Sequence, residues 1–145
     1  MTTLAYKSGI LAFDSKVTAD GLCSGTMTKG RVTKKYLVAA CGAAEDVEAF
    51  LDWMDAGGIQ DDKKKFGLER EVDISAISVD KKGIVRHYGG RLYPYKIQAS
   101  FHADGSGGHL AIGAMAHGAT AVQAVKIAST YDSYTGGKVN TLSFP

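Results

Sequence analysis

Glycine sets the strongest constraint on what this chain can become. Eighteen glycines stand against two prolines among 145 residues, without any low-complexity tract to explain them. Glycine adopts positive φ at no steric penalty and lets backbones approach closely. That abundance therefore predicts a strand-rich fold with many tight turns and a site lined by main chain.

The pattern between the glycines supports this reading. Thr3-Leu4-Ala5-Tyr6 and Ile10-Leu11-Ala12-Phe13 flank Lys7-Ser8-Gly9 and predict a hairpin. A second hairpin joins the stretch around Thr28 to Val32 with Tyr36 to Cys41 through Thr33-Lys34-Lys35. Val47, Phe50, Leu51 and Met54 recur at i, i+3, i+4 and i+7, which predicts an amphipathic helix with Glu45, Asp46, Glu48 and Asp52 on its other faces. Glu45, Asp46 and Glu48 favour its positive N-terminal end, and Gly57-Gly58 stops it. The charged stretch Gly57 to Glu71 reads as a solvated loop or helix end. Strands follow at Val72 to Val79, Ile84 to Tyr88 and Tyr95 to Phe101, the first two joined by Asp80-Lys81-Lys82-Gly83. A short helix spans His109 to Ala116. Thr120 and Gln123 form a capping box for another, whose buried side carries Val122, Val125 and Ala128/Ser129. A strand over Val139 to Phe144 ends the chain. Strands, helix, strands, helix pair and strand define an α+β chain with mainly antiparallel pairing, and residues 1–145 read as one domain.

Composition narrows the function classes. Apolar residues at 45% and charged residues at 22% suit a packed core. A net charge of +2 is too slight to draw nucleic acid or an anionic membrane by bulk electrostatics, and no apolar run reaches the roughly 20 residues that span a bilayer. The start Met1-Thr2-Thr3-Leu4-Ala5-Tyr6-Lys7 lacks the basic, apolar character of a signal peptide, and two cysteines make no disulfide framework, so a cytoplasmic location is expected. The histidines His87, His102, His109 and His117 are scattered without ligand spacing, so neither a metal nor a cofactor is expected. Cys41 in an apolar strand and Cys23 in a glycine-rich turn read as inert thiols.

Several residues bear on chemistry. Removal of Met1 would leave Thr2 with both a hydroxyl and a free α-amine. Such an amine titrates near pH 7.7–8.0 and can accept the hydroxyl proton, so one residue supplies nucleophile and base. Asp14 closes the second strand, where a carboxylate either holds an ammonium group or caps a turn. Lys29 lies on the next hairpin, and a lysine near the nucleophile stabilises a developing oxyanion and biases a nearby amine toward its neutral form. Gly105-Ser106-Gly107-Gly108 precedes a helix as an anion-binding or flexible turn, and fits neither phosphate-loop nor dinucleotide spacing. Asp132 and Thr135 belong to Asp132-Ser133-Tyr134-Thr135-Gly136-Gly137, as turn residues or members of a buried polar network.

Taken in order along the chain, these motifs resemble the proteasome-like N-terminal-nucleophile hydrolases, which include the proteasome β-subunit and the HslV-type peptidase. Thr2 to Lys7 is similar to their T-T-[LI]-A-[FY]-[KR] start, and Ala12 to Thr18 to their A-x-D-S-[RK]-x-T strand end. Tyr36 to Asp46 resembles the glycine turn into their first helix, Gly105-Ser106-Gly107 their G-S-G, and Asp132 to Gly137 their D-x-Y-[ST]-G-G.

The resemblance implies a four-layer αββα sandwich of two mainly antiparallel sheets. It implies a threonine peptidase in which Thr2 Oγ attacks a peptide carbonyl with its own amine as base, and water resolves the acyl-enzyme. Asp14 and Lys29 would form the charge pair beside it, Ser106, Asp132 and Thr135 the network around the amine, and Gly42 N–H an oxyanion donor. Among Lys29, Lys34 and Lys35, the resemblance favours Lys29, which follows Asp14 by 15 residues, close to the family's interval, and leaves Gly30 to Cys41 for a complete hairpin. The implied partners are a peptide or unfolded protein substrate and further copies in a ring, with room for an ATPase unfoldase. A chain that keeps Met1 would instead be a silent shell or binding protein, and an amidase acting on a small molecule is the third reading.

Overall fold

A computed structural model describes residues 2–145. Met1, whose removal the sequence reading expects, lies outside the described residues. The chain opens with the hairpin β1 (Thr3–Lys7) and β2 (Ile10–Phe13). Ser8 and Gly9 both have positive φ, 53° and 81°, and form the two-residue turn that matches strand twist. A second hairpin, β3 (Lys16–Ala19) and β4 (Leu22–Thr26), turns at Asp20-Gly21. The sequence reading has no counterpart for it and places Cys23 in a turn; Cys23 is an exposed residue of β4. Then come β5 (Gly30–Val32), β6 (Tyr36–Gly42) and helix α1 (Ala44–Asp55). The charged stretch after α1 contains a 3₁₀ helix, Gln60–Phe66. Strands β7 (Ile74–Asp80) and β8 (Val85–Tyr88) pair as expected, with Val72, Asp73 and Ile84 outside them.

The run from Tyr95 to Phe101 is not one strand. β9 (Tyr95–Ile97) pairs with β8, whereas β10 (Phe101–Gly105) pairs with β1 in the other sheet. The bend between them carries the chain from one sheet to the other, a change of partner to which local periodicity is blind. Helices α2 (Gly108–Ala116) and α3 (Ala121–Tyr131) and strand β11 (Asn140–Leu142) complete the chain. Both hydrogen bonds of the Thr120–Gln123 capping box are made.

One sheet has the order β10-β1-β2-β11, the second β5-β6-β7-β8-β9, and β3-β4 stands apart. Alternation of side chains builds the layers. Leu4, Tyr6, Leu11 and Phe13 face Leu37, Ala39, Ile77 and Val79 between the sheets. Ala5 and Ala12 point the other way, and these small residues seat α2 and α3 through Ala111, Met115, Ala124 and Val125. On the far side Val38, Ala40 and Ala76 receive Val47, Phe50, Leu51 and Met54 of α1. The four layers run helix pair, sheet, sheet, helix. Trp53, outside the i, i+3, i+4 stripe, is also fully buried. Asp46 is buried too: its carboxylate accepts from Arg70 Nη2 at 2.7 Å and Asp73 N at 3.0 Å, a tertiary role beyond favouring the helix start. Along α3 the buried residues are Ala121, Ala124, Val125 and Ala128, while Val122 and Ser129 are half-buried.

Candidate active site

Three distant stretches of sequence meet at the start of β1. Asp14, at the end of the neighbouring β2, is fully buried, and both of its oxygens accept hydrogen bonds. Its Oδ1 accepts from Thr3 N at 3.1 Å and from Lys29 Nζ at 3.1 Å, and its Oδ2 accepts from Gly136 N at 3.0 Å. The Lys29 and Asp14 side chains are 4% and 0% exposed. Burial depresses the lysine's pKa below its ordinary value, and the attraction of Asp14 opposes that shift. Gly30, next to Lys29, cannot bear a side chain, because a Cβ would strike the Phe13 ring at 2.6 Å. The hairpin therefore presses Lys29 against the end of β2. Lys34 and Lys35 are exposed in the β5–β6 loop, away from Asp14.

On the helix side, Ser106 Oγ donates to Asp132 Oδ2 at 2.6 Å and lies 3.4 Å from Thr2 O. Thr135 Oγ1 donates to the same Asp132 Oδ2 at 2.6 Å. Burial alone would raise the Asp132 carboxyl, but the Ser106 and Thr135 hydroxyls and Tyr134 N–H outweigh it and hold it below the usual range. Gly105, at φ 91°, brings β10 so close that a Cβ would collide with Thr2 O.

Thr2 itself is 3% exposed and lines a hollow of about 130 Å³ together with Lys16, Met27, Lys29, Gly42 and Val47. Gly42 ends β6 at φ 129°, where a Cβ would strike Asp73 O. All seven residues singled out in the sequence thus gather around the beginning of β1. Sequence reasoning missed Thr3 and Gly136. Thr3 Oγ1 lies 2.8 Å from Thr135 Oγ1, and Gly136 acts through its backbone N–H, for which side-chain chemistry gives no signal.

Two of the four histidines, His87 and His102, come near each other in the fold. His87 Nε2 lies 3.0 Å from Asp104 Oδ2 and 2.9 Å from Ser75 Oγ, which also bonds Asp104, and the His102 ring is 6.4 Å away. Nearby, Cys41 donates to Ser75 O at 3.3 Å; burial and the Asp104 charge push its thiol up to about 12, so it is not a thiolate at neutral pH.

No protein-family model and no curated protein matches the sequence. Solved structures do. BPH of Thiobacillus denitrificans in complex with epoxomicin superposes with a TM-score of 0.69 at 17% identity, over 99% of this chain and 97% of that one. A second structure of Thiobacillus denitrificans BPH gives 0.70 at 16%, over 99% and 96%. Eukaryotic HslV from Trypanosoma brucei gives 0.70 at 17%, over 99% of both chains. The chain therefore has an HslV-like fold, α+β with antiparallel sheets, as the motifs imply. Among the described residues no helix is long and apolar enough to cross a membrane.

Proposed function

We propose that this chain is a threonine peptidase of the HslV and proteasome type, with Thr2 as nucleophile once Met1 is removed. One observation carries the reading: a buried Lys29–Asp14 pair and an Asp132 network, drawn from sequence positions over 100 residues apart, converge on the first residues of β1. A buried lysine paired with a buried carboxylate brings a positive charge to this spot. Beside Thr2 it would lower the free energy of an alkoxide-like Oγ and favour the neutral form of the new α-amine.

The steps then follow from position. The amine takes the hydroxyl proton, Oγ adds to the peptide carbonyl, and the oxyanion settles toward Gly42 N–H, a donor type whose loss typically costs about 2.7–4 kcal/mol of activation energy. The protonated amine gives its proton to the leaving amine, and water then hydrolyses the ester. Ser106, Asp132 and Thr135 hold the amine's surroundings, Asp132 as the common acceptor. The substrate is a peptide or unfolded protein, and the working form is a homo-oligomeric ring in the cytoplasm with an ATPase unfoldase as a further partner. Support for the peptide substrate and the ring comes from the HslV-like fold. Sedimentation of the native protein reads the assembly directly.

The test of the chemistry pairs hydrolysis of fluorogenic peptides with the Thr2→Ala variant. Turnover by the wild type and its loss in Thr2→Ala supports the reading. Full hydrolysis by Thr2→Ala overturns it.

A further inference from the structure

Thr3 is fully buried, and three of its groups are committed. Its N–H donates to Asp14 Oδ1 at 3.1 Å, its carbonyl accepts from Asp14 N at 3.4 Å, and its hydroxyl lies 2.8 Å from Thr135 Oγ1. The direction of that last bond follows from counting protons. A hydroxyl has one proton to donate, and Thr135 gives its own to the Asp132 carboxylate at 2.6 Å. Thr3 is therefore the donor, and the polar chain runs Thr3 to Thr135 to Asp132, each bond polarising the next. Ser106 gives its proton to the same Asp132 oxygen, and its Oγ lies 3.4 Å from the carbonyl of Thr2, the residue beside Thr3.

The room for this bond is made by a missing side chain. A Cβ on Gly107 would collide with Thr3 Oγ1 and lie 3.1 Å from Thr135 Oγ1. Glycine here thus admits the Thr3–Thr135 bond at the start of α2. Strand alternation then decides what Thr3 can touch. Thr3 shares the helix-facing side of β1 with Ala5, whereas Thr2 lines the hollow on the other side with Gly42, Met27 and Val47. A peptide seated in that hollow has no access to the Thr3 hydroxyl.

We infer that Thr3 is a positioning residue: its hydroxyl ties β1 to the Thr135–Asp132 pair while its N–H ties the same residue to Asp14, so both halves of the site are set relative to Thr2 by the residue that follows it. The inference rests on the peptidase reading. It goes beyond it in assigning the second threonine a role that neither nucleophile, base nor oxyanion donor describes.

Thr3→Val keeps the shape of the side chain and removes the donor, and Thr3→Ser restores it. Steady-state hydrolysis of a fluorogenic peptide by wild type and both variants, normalised to folded protein by circular dichroism, separates the possibilities. Thr3→Val is expected to lower kcat about 10- to 100-fold with KM unchanged, as for a small misplacement of reacting groups, and Thr3→Ser to recover most of the loss. A kcat of Thr3→Val within twofold of wild type overturns the inference, as does a loss that appears in KM or one that Thr3→Ser shares. A wild-type chain that hydrolyses no peptide overturns the peptidase reading itself and this inference with it, and is seen before any variant is compared.

Discussion

A lysine with a side chain 4% exposed is tolerable only with a carboxylate beside it, and here that carboxylate is Asp14. Removing one partner of a buried pair strands the other, typically at about 3–5 kcal/mol. Asp14 keeps two backbone donors, Thr3 N and Gly136 N, after loss of the lysine. Lys29→Ala is therefore expected to remain folded, to lose stability near 3 kcal/mol in urea denaturation, and to lose turnover entirely. Lys34→Ala and Lys35→Ala, changed in an exposed loop, should alter neither; an equal loss of turnover at either one would show that the wrong lysine has been placed beside the nucleophile. The Asp14 and Lys29 side of this arrangement was legible through the family resemblance, because the interval of 15 residues is close to the family's and leaves Gly30 to Cys41 for a complete hairpin; the β3–β4 hairpin that lies between the two residues was not read. Thr3 was not legible. Its role depends on a hydroxyl 132 positions away and on a glycine that admits it.

At the scale of elements, the parts read correctly are those whose local chemistry repeats their tertiary role. The Ser8-Gly9 turn lies between two strands that alternate core and helix-facing residues, and the Thr120 cap is made by its own helix. Thr120→Ala should cost about 1 kcal/mol and leave turnover unchanged, since α3 starts far from Asp132; a loss of activity without a loss of stability would contradict that. The β3–β4 hairpin escaped notice for the opposite reason. Asp20-Gly21 is a strong turn signal, but β4 is exposed throughout, so no alternation of apolar residues marks its strands. β9 and β10 read as one strand because the residues between them break no pattern; only the second sheet's edge and the first sheet's edge, each needing a partner, separate them.

Across the whole molecule, the two sheets are joined by more than apolar packing. Asp104 of β10 in one sheet meets Ser75 of β7 and His87 of β8 in the other. Burial alone would raise the Asp104 carboxyl, yet the bonds from His87, Ser75 and Gly105 N–H hold it below the ordinary range. A carboxyl lowered by folding contributes stability that is complete above its unfolded value, about 3.9, and is lost as pH falls through the lower folded value. Acidification below about pH 4 should therefore weaken the protein, and Asp104→Asn should show a shallower fall in urea midpoint over that range; an identical slope would remove Asp104 from the account. The fold, then, holds its sheets, its charge pair and its glycine-lined approaches so that the first residues of β1 are fixed in place. The most direct measurement of what that serves is mass spectrometry of the protein from its native source after treatment with a peptide epoxyketone. The account predicts a chain lacking Met1 with the adduct on Thr2. A chain that retains Met1, or an adduct on any other residue, would contradict it.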